Sequence, residues 1–279
     1  MKNHILKTVD GSLQAFGGFR WPRQGPVEAP DWNPAAVCWG GLHGALNGEG
    51  DGSLLCRHIN PVWIVAELPE DGPIVDLGGK VKVPRCTVVF AGSQKDATDL
   101  MRKLHPESRQ VIGAFVTSGD KGNATSGDLG TSTSGTGGTS ISGDHGTSTS
   151  GKGGTSISGD HGISTSGKGG TSTVGDHGTS TVGDYGTSTS GTGGTSTAGD
   201  FGTSISGARG TSISGDHGIS TSGNGGTCAA GEGGSIHIHY WDGKRTKVRV
   251  GYIGEDGLEP GVTYRLNEHR EFESTGTEA

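Results

Sequence analysis

Two groups of side chains in this sequence have the types and spacing to do chemistry. In Gly40-Gly41-Leu42-His43-Gly44, His43 sits in a glycine-rich turn, with Cys38 before it and Glu49 and Asp51 after it. An imidazole near a thiol and two carboxylates is material for a proton-transfer pair or a ligand pocket. These four residues are the catalytic candidates. The plainer reading is that His43 and Cys38 pin a loop against a sheet. The second group is periodic: Asp144-His145, Asp160-His161 and Asp176-His177 recur every sixteen residues. Asp and His are divalent-metal donors. Equivalent residues of stacked coils are nevertheless too far apart for one ion to bridge, and the same pair suits a solvated turn. Metal is the minor reading, and no cofactor is expected.

The elements that must position these residues follow from an octapeptide, G-x-x-G-T-S-(T/I)-S, repeated fifteen times from Gly119 to Ile238. Two fixed glycines around two variable residues read as a tight turn, with glycine supplying positive φ. The next four residues alternate and read as a short strand. Two octads close a flattened coil with two strands and two turns, and stacked coils make a β-solenoid. At roughly 4.8 Å per coil the rod is about 35 Å long.

Replacements of the Ser at octad positions six and eight are all apolar and mostly small: Ala124, Val174, Val182, Ala198, Cys228, Ala230, Ile236 and Ile238. A narrow interior accepts such residues, with buried serine hydroxyls bonding to carbonyls. Positions five and seven, mostly Thr with Ile141, Ile157, Ile163, Ile205, Ile213 and Ile219 among them, are placed outward; the opposite assignment stays open. Thr147, Thr149, Thr155, Thr171, Thr173, Thr187 and Thr189 then form a candidate surface ladder. The Asp-plus-ring turns continue at Asp184-Tyr185, only eight residues after Asp176, and then at Asp200-Phe201 and Asp216-His217. That edge of the rod therefore changes sides near Gly183.

Residues 1–118 read as a small α+β domain, 119–238 as the two-sided solenoid of sixteen residues per coil, and 239–279 as a β-hairpin cap and tail, so the fold class is mainly β. Val62–Ala66, Val81–Val83 and Thr87–Phe90 are strand-like. Asp96–Leu104 is helical, with Ala97, Leu100, Met101 and Leu104 on one face, and Pro106 ends it. The apolar run Val111–Val116 leads toward the first octad. Trp21, Trp32, Trp39 and Trp63 supply large surfaces to bury. Ser235–Trp241, the Asp242-Gly243 turn and Lys244–Val250 form a hairpin, whose Ile236, Ile238 and Trp241 close the open end of the rod.

Composition narrows the function classes. The net charge is −7 over 279 residues and no basic stripe appears, so nucleic acid is not an expected partner. No leader peptide or membrane-spanning run is present, which implies the cytoplasm of a bacterium or of a phage-infected cell. Cys38, Cys56, Cys86 and Cys228 lack metal-site spacing and read as reduced thiols.

Several longer words carry a family resemblance: Gly18-Phe19-Arg20-Trp21-Pro22, Val27-Glu28-Ala29-Pro30-Asp31-Trp32, Gly40–Gly44 and Asp76–Lys82, with Trp241–Gly243, Gly251–Gly257 and Tyr264–Leu266 at the far end. Together they resemble uncharacterised bacterial and phage proteins in which a Gly-Leu-His or Gly-Phe-His domain precedes glycine-rich octads. Trp39 stands where that family carries glycine. The Thr-rich octads themselves resemble the repeats of bacterial ice-nucleation proteins. The leading expectation is a non-enzymatic structural or interaction protein with a rigid solenoid spacer or display surface, whose partner is unidentified and includes self-association. The competing readings are a ligand-binding or enzymatic N-terminal domain centred on His43, and binding of ice or ordered water through Thr-x-Thr ladders.

Overall fold

The computed structural model describes residues 2–55 and 59–278; Cys56 lies outside the described residues. The chain divides into two compact units, Met1–Phe115 with Ser126–Gly130, and Val116–Thr125 with Thr131–Ala279.

The first unit is built on a seven-stranded sheet of β1 (His4–Val9), β2 (Gly25–Glu28), β3 (Leu42–Leu46), β4 (Val62–Glu67), β5 (Val75–Asp76), β6 (Val81–Val83) and β7 (Arg85–Gly92), in the order β2-β7-β4-β1-β3-β6-β5. All the pairings are antiparallel, with β1 set between β4 and β3. Ile5, Val9, Trp21, Ile64 and Val88 form its apolar core. The helix α1 (Gln94–Leu104) starts two residues before its sequence-predicted bound because Ser93 caps it, its Oγ accepting from the Asp96 N–H at 3.2 Å. Of the expected helix face, Ala97 and Met101 are buried. The apolar run Val111–Val116 is mostly core and only its end is strand. Val111, Ile112 and Ala114 are buried, and the strand covers Phe115–Thr117. Trp21 and Trp63 are buried, but Trp39 is 69 % exposed and does not join the core.

The second unit is the expected two-sided β-solenoid. Each strand pairs in parallel with the strand sixteen residues on: Thr147 opposite Ile163, Thr155 opposite Thr171, Thr187 opposite Thr203. Alternate octads therefore build two separate sheets. The turns stack as well: the His145 N–H donates to the Asp160 carbonyl at 2.8 Å, the Gly153 N–H to Lys168 at 2.9 Å and the Thr155 N–H to Gly138 at 2.9 Å.

The fixed glycines play a different part from the one expected of them. Positive φ falls on the third octad residue, which is Lys121, Leu129, His145, His161, His177, Tyr185, Phe201, Arg209 or His217 at φ +54° to +59°, and glycine elsewhere. A side chain there costs about 1–2 kcal/mol of backbone strain. At octad position one, as at Gly135, Gly151 and Gly159, the neighbouring coil leaves no room for a Cβ; at position four the preceding position-eight side chain, with the turn's own carbonyl or that of the neighbouring coil, fills the space. At Gly159 a Cβ would lie 2.7 Å from the Asp144 nitrogen, and at Gly154 2.8 Å from the Gly138 carbonyl.

Positions six and eight point inward, as the apolar replacements implied. Ser140, Ser148, Ser156, Ser164, Ser172, Ser180 and Ser188 are fully buried. Their hydroxyls run down the interior between the two sheets: Ser156 to Ser148 at 2.9 Å, Ser172 to Ser164 at 2.9 Å, Ser180 to Ser172 at 2.8 Å and Ser188 to Ser180 at 2.9 Å. Position-eight serines pair along the rod, Ser142 with Ser158 at 2.9 Å and Ser150 to Ser166 at 3.0 Å, and also reach turn carbonyls, Ser158 to Gly146 at 2.8 Å and Ser166 to Gly154 at 2.7 Å. At the C-terminal end the interior turns apolar, with Cys228, Ala230, Ile236 and Ile238 packed under Ile253, Leu258 and Tyr264. The hairpin of Ser235–Trp241 and Thr246–Tyr252 forms as expected, and Val262–Leu266 with Phe272–Glu278 extends the other sheet. Trp241 is half exposed and takes no part in the closure.

Two contrasts test this packing by chemical unfolding. Gly159→Ala loses about 1–3 kcal/mol because its Cβ meets fixed backbone, whereas Gly153→Asn, at φ +64° with open space around it, stays within about 1 kcal/mol of the parent. Ser172→Ala breaks an interior chain of hydroxyls and costs about 1–3 kcal/mol. Ser190→Ala removes a buried hydroxyl that has no partner, beside Val174 in the neighbouring strand, and is neutral or stabilising.

Candidate functional site

The repeat leaves threonine on the outside twice per octad, and β-branching holds each side chain near one rotamer. In-register stacking turns the threonines into columns. On the sheet built from Thr131–Thr133, Thr147–Ser150, Ile163–Ser166, Thr179–Val182 and Thr195–Ala198, one column reads Thr133, Thr149, Thr165, Thr181, Thr197 without interruption. Its companion reads Thr131, Thr147, Ile163, Thr179, Thr195, Thr211. On the other sheet Thr139, Thr155, Thr171, Thr187 and Thr203 form one column, but its companion carries Ile141, Ile157 and Ile205 around Thr173 and Thr189. These outward residues are half-buried or exposed.

The predicted ladder residues are therefore split between two faces. Thr147 and Thr149 stand on the first sheet; Thr155, Thr171, Thr173, Thr187 and Thr189 stand on the second. The more complete Thr-x-Thr array is the first, and Thr131, Thr133, Thr179, Thr181, Thr195 and Thr197, absent from the predicted set, belong to it. Sorting the octads by odd and even copy separates the two faces and would have found them.

The Asp-His pairs stand on the turns at one edge. His145, His161 and His177 stack nearly parallel, with ring centroids 4.9 and 5.2 Å apart. The Asp carboxylates accept backbone N–H groups one coil on: Asp160 N–H to Asp144 at 2.9 Å, Asp176 N–H to Asp160 at 2.7 Å and Thr192 N–H to Asp176 at 2.7 Å. Those oxygens tie coil to coil. Among the described residues no group of three or more His, Cys, Asp or Glu is placed to hold a metal ion. Past Gly183 the rings change edge, where Tyr185, Phe201 and His217 stack at 5.1 and 5.0 Å and Lys168 lies 5.0 Å from the Tyr185 ring.

In the first unit, β3 carries His43 into a cavity of about 890 Å³ that Cys38 and Asp51 also line. Glu49 is directed elsewhere and accepts the Gln110 N–H at 3.1 Å, while Asp51 accepts the Ser53 N–H at 2.8 Å. Cys38 is exposed and accepts from the Lys80 ammonium at 2.9 Å. Burial, then the charges of Lys80, Lys7 and Lys82, push the His43 imidazole down to about 4, so it is neutral at pH 7. Cys86 and Cys228 are buried free thiols whose burial raises them to about 12 and about 11, well away from thiolate chemistry.

No family model matches this chain, and no solved structure matches it either. Bacterial ice nucleation proteins do, among them the following three. An ice nucleation protein of Xanthomonas campestris pv. translucens is 35 % identical over 103 residues, 36 % of this chain and 6 % of that protein. Ice nucleation protein InaU of Pantoea ananas is 33 % identical over 108 residues, 38 % and 10 % of the two chains. InaA of the same species is 32 % identical over 119 residues, 42 % and 9 %. The chain thus spans a tenth or less of the length of these relatives, and the likeness of its octads to ice-nucleation repeats holds. The expected cytoplasmic location is corrected by these matches. The relatives are named for ice nucleation, and in a chain that spans so little of their length nothing about a leader follows from where the sequence begins. Among the described residues no helix is long and apolar enough to cross a membrane, a fact that bears only on helices.

Proposed function

We propose that the solenoid is a structural scaffold that orders water and binds ice through its Thr-x-Thr faces. The observation that carries this reading is the array of paired threonine columns running from Thr131 and Thr133 to Thr195 and Thr197, interrupted once, at Ile163. Strand spacing sets about 4.8 Å between rungs and about 6.6–6.8 Å between the two columns. Hydroxyls at such fixed positions hold water in a repeating pattern, while the methyl groups beside them offer few competing hydrogen bonds. A rigid spacer needs only the glycine turns and the serine interior. It gives no reason for threonine at both outward positions. The likeness to ice nucleation proteins of Xanthomonas and Pantoea supports the same reading.

Array size sets what kind of activity to expect. Five rungs span only about 19 Å, enough to adsorb to an existing ice crystal and small for templating a new one. Thermal hysteresis and recrystallisation inhibition are therefore the sensitive measurements, with droplet freezing as the weaker effect. The double variant Thr149→Asn/Thr181→Asn is expected to lose most of the hysteresis with an unchanged far-UV spectrum. Thr155→Asn/Thr187→Asn, on the face already broken by isoleucine, is expected to lose less. A parent protein indistinguishable from a buffer of matched osmolality ends the proposal.

A further inference from the structure

We propose that the cleft around His43, Lys80 and Trp39 in the first unit is a binding site for a small organic anion with an aromatic or apolar body. Its cavity, about 890 Å³, has the size of a small-molecule site. Large apolar side chains stand in water at its walls: Phe16 is fully exposed, Trp39 is 69 % exposed and Leu54 is also exposed. Such surface gathered around a cavity marks a place to bury something. Inside, His43 Nε2 is buried with no hydrogen-bond partner, a polar atom that a ligand would satisfy.

Charge selects the ligand's sign. The Lys80 ammonium is met by the Cys38 sulfur, and the fully buried Lys82 ammonium by the carbonyls of Val37 and Trp39, both at 3.0 Å. Among the described residues neither lysine has a carboxylate within salt-bridge distance. Lys7 stands 6.0 Å from the Trp21 ring on the same wall. Two aspartates line the cleft. Asp51 is engaged by the Ser53 N–H, and Asp31 counters part of the effect of Lys80, Lys7 and Lys82 on His43. Lys80 lines the cleft without a carboxylate partner, and an anion that keeps its apolar body on Phe16 and Trp39 supplies the opposite charge. Lys82 also holds the Val37–Trp39 loop by its carbonyls, which fixes one wall in advance.

Fluorescence titration of the full chain with anilinonaphthalene sulfonate, an aromatic anion, tests the site. Saturable binding is expected, with the uncharged N-phenylnaphthylamine binding about tenfold more weakly. Lys80→Gln and Trp39→Ala are each expected to weaken the sulfonate about tenfold at unchanged far-UV spectrum. Absence of saturable binding, equal affinity for the charged and uncharged probes, or full affinity in both variants overturns the proposal. If either variant fails to fold, the salt dependence of the parent decides. Affinity that falls as sodium chloride rises supports an anion site, and affinity that does not change overturns it.

Discussion

Everything in the solenoid depends on the parallel backbone pairing of each residue with the one sixteen positions on. The pairing runs through the turns as well as the strands, so each coil is held around its whole perimeter. Such stacking requires turn backbones to approach closely enough that octad position one has no room for a Cβ. Asp carboxylates at position two add a further tie to the next coil. The glycines that look like a mark of flexibility are a consequence of close stacking. They are steric requirements, and the conformational requirement is moved to the third position, where histidine, tyrosine, phenylalanine, lysine and arginine accept positive φ. Ring stacking along the edges offsets part of that strain.

Close stacking also sets the chemistry of the interior. Two short strands facing each other leave a space that serine fills, and a serine core must satisfy its hydroxyls internally. Most do so by pairing across the coil or along the rod, yet Ser140, Ser190, Ser196 and Ser206 have unpartnered oxygens. Val174, Val182 and Ala198 occupy equivalent inward positions without any such demand, so the interior tolerates either solution. What it cannot do is end by itself. At the last coils Ser gives way to Cys228, Ile236 and Ile238, which build an apolar floor for Ile253, Leu258 and Tyr264.

Periodic features were legible in the sequence because each copy repeats the same local problem. Coil size, inward serines and the change of edge near Gly183 all follow from comparing copies, and the hairpin follows from its local Asp242-Gly243 turn. Features that depend on neighbours from distant parts of the chain were not. Trp39 was expected in a core but stands exposed beside a cleft, and Trp241 lies outside the closure it was expected to make. His43, Cys38 and Asp51 do share one cavity, while Glu49, equally close in sequence, points to Gln110. Lys80 lines that cavity too and meets the Cys38 sulfur, and it comes from the segment before β6, far along the chain from Cys38 and His43. The steric role of the position-one glycines has the same origin, since the atoms that exclude their Cβ belong to the adjacent coil, as Asp144 does at Gly159.

The split of the solenoid into faces and edges explains how a half-coil change of phase leaves a water-facing array intact. Turn residues decide what each edge displays, and strand positions five and seven decide what each face displays. Both sets ride on one backbone ladder that continues through Gly183 without insertion or deletion: the Gly169 N–H bonds to Asp184 at 2.8 Å and the His177 N–H to Thr192 at 2.9 Å. Rings can therefore pass from one edge to the other while Thr165, Thr181 and Thr197 stay in column. Isoleucine interrupts the second face at Ile141, Ile157 and Ile205, but the first only at Ile163 before Ile213. Two faces with the same backbone thus differ in hydroxyl regularity, and the difference lies wholly in the residues at positions five and seven.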